Sequence, residues 1–344
     1  MKQYLLPEEG HFYKANLHAH STVSDGRMTP KEIKEAYKAN GYSVVAFTDH
    51  EVMVDHSDLN DEDFLALKGY EIAINEGHAS VGKDKRTYHL CLIATSPSIE
   101  GQVFFNPRGH FSGNAASYAD RVCAYGEAVY QYTYSPIFVN RLIRAASAAG
   151  FLVNYNHPHW SMQGEADYLP LTGLTGVEVF NGTCTAVRGS LDHDSRIYDA
   201  LLQTGNHKNL LPIAADDNHN EDGFFGDNAD SFLGFMMIKA KSLTYENIIA
   251  ALKGGDCYAS SGPKINALYV EGGRLHIEAS PVREILYRTS TRRAVRRHKA
   301  NDALFTEASF PLLREDGYFR LELVDEHGRR AYTPAYDASR FAIS

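Results

Sequence analysis

Nine side chains, six imidazoles and three carboxylates, fall where short apolar runs begin or end, and that donor set is the one divalent metal centres use. His18 and His20 close the run NLHAHSTVSDG two residues apart, so on extended chain both imidazoles face one way and can reach one ion. Asp25 follows in a Ser-Asp-Gly turn, near enough to fold back on the same point. FTDH ends in His50, and Gly69 and Tyr70 lead into Glu71. The next run opens with His89, NHP carries His157, and ADDNH delivers Asp216 and His219. Any one of these would pass for a hydrogen-bonded strand-end residue. Gathering nine of them without a cation would be very costly. Mixed imidazole and carboxylate without thiolate suits Mn, Zn or Fe rather than calcium or a structural zinc. The set exceeds the needs of one ion, whereas about three divalent ions, with one carboxylate bridging, use all of it. Such centres activate water and clamp a phosphoryl or acyl oxygen.

The elements that must position these groups alternate. Short apolar, β-branched runs predict strands over 15–17, 44–47, 88–94, 151–154, 176–180 and 211–214. Amphipathic stretches predict helices over 30–40, 140–149, 195–204 and 244–254. Thr29-Pro30 reads as a helix start, and Gly41, Gly150 and Gly205 as helix stops. The alternation implies a parallel sheet, open or closed into a barrel, with the polar residues on the loops after the strands. Residues 96–135, rich in Tyr, Gly, Asn and Phe, interrupt the pattern as an insertion or lid. After Gly262 the texture changes to short alternating runs over 267–270, 275–279, 284–287 and 318–324, a small all-β domain. The Arg-rich stretch 288–299 reads as a solvated hairpin face.

At 344 residues, 44% hydrophobic and 22% charged, the chain suits one large domain plus a small one. A net charge of −9 argues against extended nucleic-acid binding. Cys91, Cys123, Cys184 and Cys257 lie far apart with no CxxC pair, so reduced thiols are expected. No signal peptide and no run of about 18 apolar residues is visible, which points to a cytoplasmic protein without a membrane span.

Taken in order, NLHAHSTVSDG, FTDH, the run opening with His89, NHP and DDNH resemble the motifs of PHP (polymerase and histidinol phosphatase) domain proteins over about residues 12–262. The resemblance implies an α/β fold, a distorted (β/α)7 barrel over 1–262 with a small β-rich domain over 263–344, and a trinuclear metal centre. Carried over by position, His18, His20 and Asp216 with Glu71 would hold the first ion. Glu71 would bridge to a second held by His89 and His157, and Asp25, His50 and His219 would hold the third. GVEVFNG, IYDALL, ADDNH, YASSGPKI and GRRAYTPAY further resemble the CehA/McbA-like branch, whose members are metal-dependent hydrolases or phosphoesterases.

Other residues are weighed beside these. Asp49 and Asn156 precede ligand histidines and could orient them. Asp217 could orient a ligand or carry a proton, and His159 could protonate a leaving group. Glu178 is expected near the site without being a ligand, and Arg188 could pair with a phosphate. The other nine histidines lack strand-end context and read as ordinary. The expected activity is hydrolysis of a small phosphorylated substrate by a metal-bridging hydroxide. The alternatives are a carboxyl or carbamate ester hydrolase, or a non-catalytic metal-binding scaffold. The β-rich tail could be a binding or oligomerisation module.

Overall fold

The computed structural model describes residues 2–77, 86–126, 129–190, 195–299 and 303–341. Among the described residues, nine strands of four or more residues build the large unit: β1 (His11–Asn16), β2 (Val44–Phe47), β3 (Leu65–Asn75), β4 (Thr87–Ala94), β5 (Phe151–Tyr155), β6 (Gly176–Asn181), β7 (Leu211–Ala215), β8 (Phe235–Ala240) and β9 (Cys257–Ser260). Helices α1 (Pro30–Ala39), α2 (Pro136–Ala148), α3 (Gly182–Ala186), α4 (Arg196–Thr204) and α5 (Tyr245–Gly254) alternate with them. β2 and β7 are buried at every position, as strands covered on both faces must be. Local chemistry fixes the helix ends. Thr29 and Glu32 close a capping box on α1 with Pro30 in the first turn, and Gly205 ends α4 at a φ of 68°, a left-handed conformation that glycine adopts without strain.

Seven strands lie in the order β7-β6-β5-β4-β3-β2-β1. The outer two meet just past their C-terminal ends. There the Asp217 N–H donates to the His18 carbonyl (2.9 Å), and the His20 N–H donates to the Asn218 carbonyl (3.1 Å). The expectation of a purely parallel sheet needs correction at one strand. β4 folds straight back on β3, with Asn75 opposite Thr87, so it runs antiparallel to both β3 and β5. This reversal brings the start of β4, and with it His89, to the edge where the other strands end. β3, β8 and β9 were not among the predicted strands. β8 runs antiparallel against β1 and β9 against β8.

The tail contains β10 (Ile265–Glu271), β11 (Arg274–Val282), β12 (Glu284–Thr289), β13 (Ala294–His298), β14 (Phe305–Pro311), β15 (Tyr318–Val324) and β16 (Arg330–Tyr332). It has its own apolar cluster, including Leu268, Ile277, Tyr287, Phe310 and Phe319. It is nonetheless joined to the rest: β16 pairs with β9, so one sheet continues from the large unit into the tail. Gln3–Tyr4 pairs with β10 from the other end of the chain. Arg320, fully buried on β15, donates to both carboxylate oxygens of Asp199 on α4 at 2.6 and 2.7 Å and to Ser195 Oγ at 2.8 Å. The Arg-rich stretch forms the β12–β13 hairpin. Two of its charges are paired with acids, Arg293 with Asp316 and Arg296 with Glu284. Among the described residues, no helix is long and apolar enough to cross a membrane.

Candidate metal centre

At the edge where β1, β2, β5, β6 and β7 end, β3 passes and β4 begins, the imidazoles and carboxylates converge. Glu71 lies at the middle, fully buried. Its Oε1 is 3.3 Å from His18 Nε2, 3.1 Å from His89 Nδ1 and 3.6 Å from His157 Nε2. Its Oε2 is 3.1 Å from His50 Nδ1 and 3.6 Å from His20 Nε2. One carboxylate thus faces five rings. To one side, Asp25 lies 3.6 Å from His50 Nε2, 3.7 Å from His219 Nε2 and 4.0 Å from His20 Nδ1. The donor atoms fall into groups suited to single ions: His18, His20 and Asp217; Glu71, His89 and His157; and His20, Asp25, His50 and His219.

One expected member is displaced. The Asp216 carboxylate turns away from the imidazoles and accepts the backbone N–H groups of Phe232, Leu233 and Gly234 at 2.7–2.8 Å, together with the Tyr37 hydroxyl at 2.8 Å. Asp217 takes its place, with Oδ1 3.1 Å from His18 Nε2 and 3.0 Å from His20 Nε2. Neighbours on extended chain point oppositely, so only one of the pair can face inward. A bulge between Ile213 and Ala214 and a φ of 55° at Asp217 decide which. Positive φ also occurs at His157 (24°) and Glu51 (63°), so the mouth concentrates backbone strain.

Supports hold these groups in place. The Asp49 carboxylate accepts the backbone N–H and hydroxyl of both Ser21 and Ser24, which fixes the loop between His20 and Asp25. Gly26 packs so closely there that a Cβ would lie 2.5 Å from the His20 carbonyl oxygen. His18 Nδ1–H donates to Glu178 Oε1 (2.8 Å), and His219 Nδ1–H donates to the Asp217 carbonyl (2.8 Å). Each leaves Nε2 with its lone pair toward the cluster, the tautomer a metal ligand needs. Glu178 Oε2 also accepts the His157 N–H (2.8 Å), and Asn156 Nδ2 donates to Glu71 Oε1 (2.7 Å). Asp230, which the sequence reading missed, accepts the His219 and Asn220 N–H groups.

The electrostatics and unsatisfied atoms fit a cation. His20 Nδ1, Asp25 Oδ1, Glu71 Oε2 and His89 Nδ1 are buried without a hydrogen-bond partner among the described residues. Burial alone would lower the His18 and His157 values. Asp217, Cys91, Glu71 and Glu178 around His18 outweigh burial and raise it well above normal; a hydrogen bond from the His157 ring to Glu71, with Asp217 and Glu178, raises His157 to about 9. Against the burial that would raise them, His89 and His18 hold Glu71, and His18 and His20 hold Asp217, well below the usual carboxylate range. Protons here do the neutralising that bound ions would do. His50 goes the other way, down to about 3, through burial and then the neighbouring His20. Burial pushes the Cys91 thiol up to about 11.

Two further expected residues stay out of these groups. His159 is half-buried in the turn after His157. Arg188 is exposed at the rim, its guanidinium 5.7 Å from the centre of the Trp160 ring, which itself packs edge-on against His157 (5.0 Å) and His89 (5.7 Å). A cavity of about 790 Å³ opens beside His50 and His89. Its outer wall comes from the Tyr- and Asn-rich stretch, with Asn106, Arg108, His110, Tyr130 and Tyr132. Glu51 also lines it, pushed up to about 7 by burial, and accepts from the Ala73 N–H and the Tyr132 hydroxyl. Of the histidines read as ordinary, His78 and His193 lie outside the described residues.

Residues 16–98 match the PHP domain family. Among solved structures, it is similar to a two-domain protein of Bacteroides vulgatus containing a predicted PHP-like metal-dependent phosphoesterase, at 15% identity over 97% of this chain and 90% of the other, with a TM-score of 0.43. A proposed metal-dependent phosphoesterase of Bifidobacterium adolescentis is 18% identical over 65% of this chain and 93% of its own, with a TM-score of 0.39. An amidohydrolase of Chromobacterium violaceum, holding sulfate and no metal, is 15% identical over 60% and 87%, with a TM-score of 0.37. No curated protein matches the chain.

Proposed function

We propose that this chain is a metal-dependent phosphoesterase whose seven-stranded row is a distorted (β/α)7 barrel holding about three divalent ions at its mouth. The observation that carries the proposal is Glu71, whose two buried oxygens face five imidazole nitrogens, with Asp217 and Asp25 on its flanks. Shared cations satisfy such a crowd of imidazole nitrogens and carboxylate oxygens with each ring neutral. His18, His20 and Asp217 would hold one ion, His89 and His157 a second, and Asp25, His50 and His219 a third, with Glu71 available to the first two. Asp217 replaces Asp216 in this set.

Ions held there lower the pKa of water and neutralise charge growing on phosphoryl oxygens. The chain's own groups do the rest. Glu178 and Asn156 hold His18, His157 and Glu71 in ligating orientation. Arg188, steadied on Trp160, meets a phosphoryl oxygen at the rim, because its planar fork suits that anion. His159, two residues beyond His157, hands a proton to the departing alcohol. The alcohol occupies the cavity beside His50 and His89, and the wall formed by Asn106, Arg108, His110, Tyr130 and Tyr132 acts as its lid. The volume exceeds what a bare phosphate needs and suits a small organic phosphate.

The protein loaded with manganese, zinc or iron should hydrolyse aryl phosphates in preference to matched aryl carboxyl or carbamate esters. His50→Ala and Asp217→Asn should each lower kcat/KM by at least about 100-fold. Equal activity in both variants removes the assignment. Ester hydrolysis without phosphatase activity transfers it to the carboxyl or carbamate class.

A further inference from the structure

The ligand chemistry read from sequence contained no thiolate, yet the fold brings one thiol to the centre. Cys91 lies two residues after His89 on β4, so both side chains leave the strand on the same face. In the β3–β4 ladder Cys91 stands directly opposite Glu71, and directly paired residues share a face. The thiol is 1% exposed, and its sulfur, a His18 ring nitrogen and a Glu71 oxygen all lie within 4.8 Å of one another.

The simplest reading of a buried cysteine is a small apolar filler. The surroundings do not fit that reading. Leu90, Leu92, Ile93 and Ala94 of the same strand belong to the main apolar cluster, and so does Cys257, but Cys91 does not. Its neighbours are polar: Asn156 Nδ2 donates to Cys91 Sγ (3.1 Å) as well as to Glu71 Oε1 (2.7 Å). One amide thus serves two acceptors, the sulfur and the carboxylate, and sets them side by side. Glu71 is fully buried, with Oε1 turned to His18 and to the same amide, and its other oxygen has no hydrogen-bond partner among the described residues, so this carboxylate keeps lone pairs for a cation.

We infer that Cys91 is a thiolate ligand of the metal centre, acting with His18 and Glu71. This rests on the metal-centre reading above and adds a consequence to it. A soft sulfur donor favours zinc or iron over manganese, which imidazole and carboxylate alone would leave open. On binding, the thiol proton passes to solvent and the sulfur lone pair goes to the ion, with no change of oxidation state.

Cobalt(II) titrated into the metal-free full chain tests this without reference to activity. Visible d–d bands report that cobalt is bound, and a near-ultraviolet sulfur-to-cobalt charge-transfer band reports a thiolate ligand. The charge-transfer band should develop in the native chain and vanish in Cys91→Ser while the d–d bands persist. Zinc affinity should fall by roughly 10–100-fold in that variant, with manganese affinity little changed. If Cys91→Ser does not fold, the band surviving in each of Cys123→Ser, Cys184→Ser and Cys257→Ser assigns it to Cys91. Bound cobalt with no charge-transfer band, or a band that survives Cys91→Ser, overturns the inference and leaves the phosphoesterase reading standing. Failure of cobalt to bind at all removes both.

Discussion

Glu71 concentrates the chemistry of the site in one side chain, and the two aspartates that follow β7 show how narrowly its partners are chosen. Asp217 turns to the imidazoles, while Asp216 clamps the chain at Phe232–Gly234. Substituting each should therefore give different defects. Asp217→Asn should weaken metal binding by at least about 10–100-fold with little loss of fold stability. Asp216→Asn should retain most metal affinity and lose about 3 kcal/mol of unfolding free energy, because charge-assisted bonds to three N–H groups are weakened. Metal titration and urea unfolding on the same pair separate the two. A pH effect follows from His157, raised to about 9 in the absence of an ion. Ligation needs the neutral ring, so the ion must displace that proton, and affinity should climb from pH 7 toward pH 9 and then level. The sign for stability is opposite. In the metal-free chain the raised value contributes fully below about 6.5 and is lost as the pH rises through about 9. Competition titrations and thermal melts across that range check both. Residue types were the most legible level of the sequence: eight of the nine expected ligands converge. The choice within Asp216-Asp217 was not legible, because it depends on a bulge and one left-handed residue. Cys91 was hidden for another reason, since spacing along the chain says nothing about a neighbour across a β ladder.

At the scale of elements, the ligands ride on strand ends and short loops, each tied by a polar anchor. Asp49 anchors the loop that carries His20 and Asp25 through four hydrogen bonds from two serines. Asp49→Ala should loosen that loop and lower the affinity of the Asp25, His50 and His219 site by roughly 10–100-fold, leaving the Glu71, His89 and His157 site largely intact. Stepwise metal titration would resolve the two. Strands and helices with clear periodicity were readable to within a few residues, and the end signals of α1 and α4 were read correctly. β3 escaped because Lys68, Gly69 and Glu71 interrupt its apolar run, although it is the strand that delivers the central carboxylate. The reversal of β4 escaped because alternating strands and helices suggest parallel pairing. His89 at the start of its strand, where the other ligands follow theirs, was the available clue.

Across the whole molecule, the texture change near residue 262 was legible, but the stitching across it was not. β9 pairs with β16 from about 70 residues away, a partnership no local pattern encodes. Arg320 is the most consequential of these long-range ties, a fully buried cation from the tail held by Asp199 of α4. Arg320→Ala should cost about 3–5 kcal/mol, since it leaves Asp199 without its counter-charge, whereas Glu322 keeps Arg288 and Arg330. Denaturant unfolding would measure this, and a loss below about 1 kcal/mol would show that the tail is held mainly by its sheet. The same centre that organises the mouth should also hold the molecule together, so ions that bind only the folded chain raise its unfolding free energy. The measurement closest to the central claim is elemental analysis of the purified chain after incubation with zinc, iron or manganese and dialysis into metal-free buffer. The convergence of imidazoles on Glu71 predicts about three ions retained per chain, falling in Asp217→Asn and His50→Ala. A native chain that retains less than one ion with any of the three metals would contradict it.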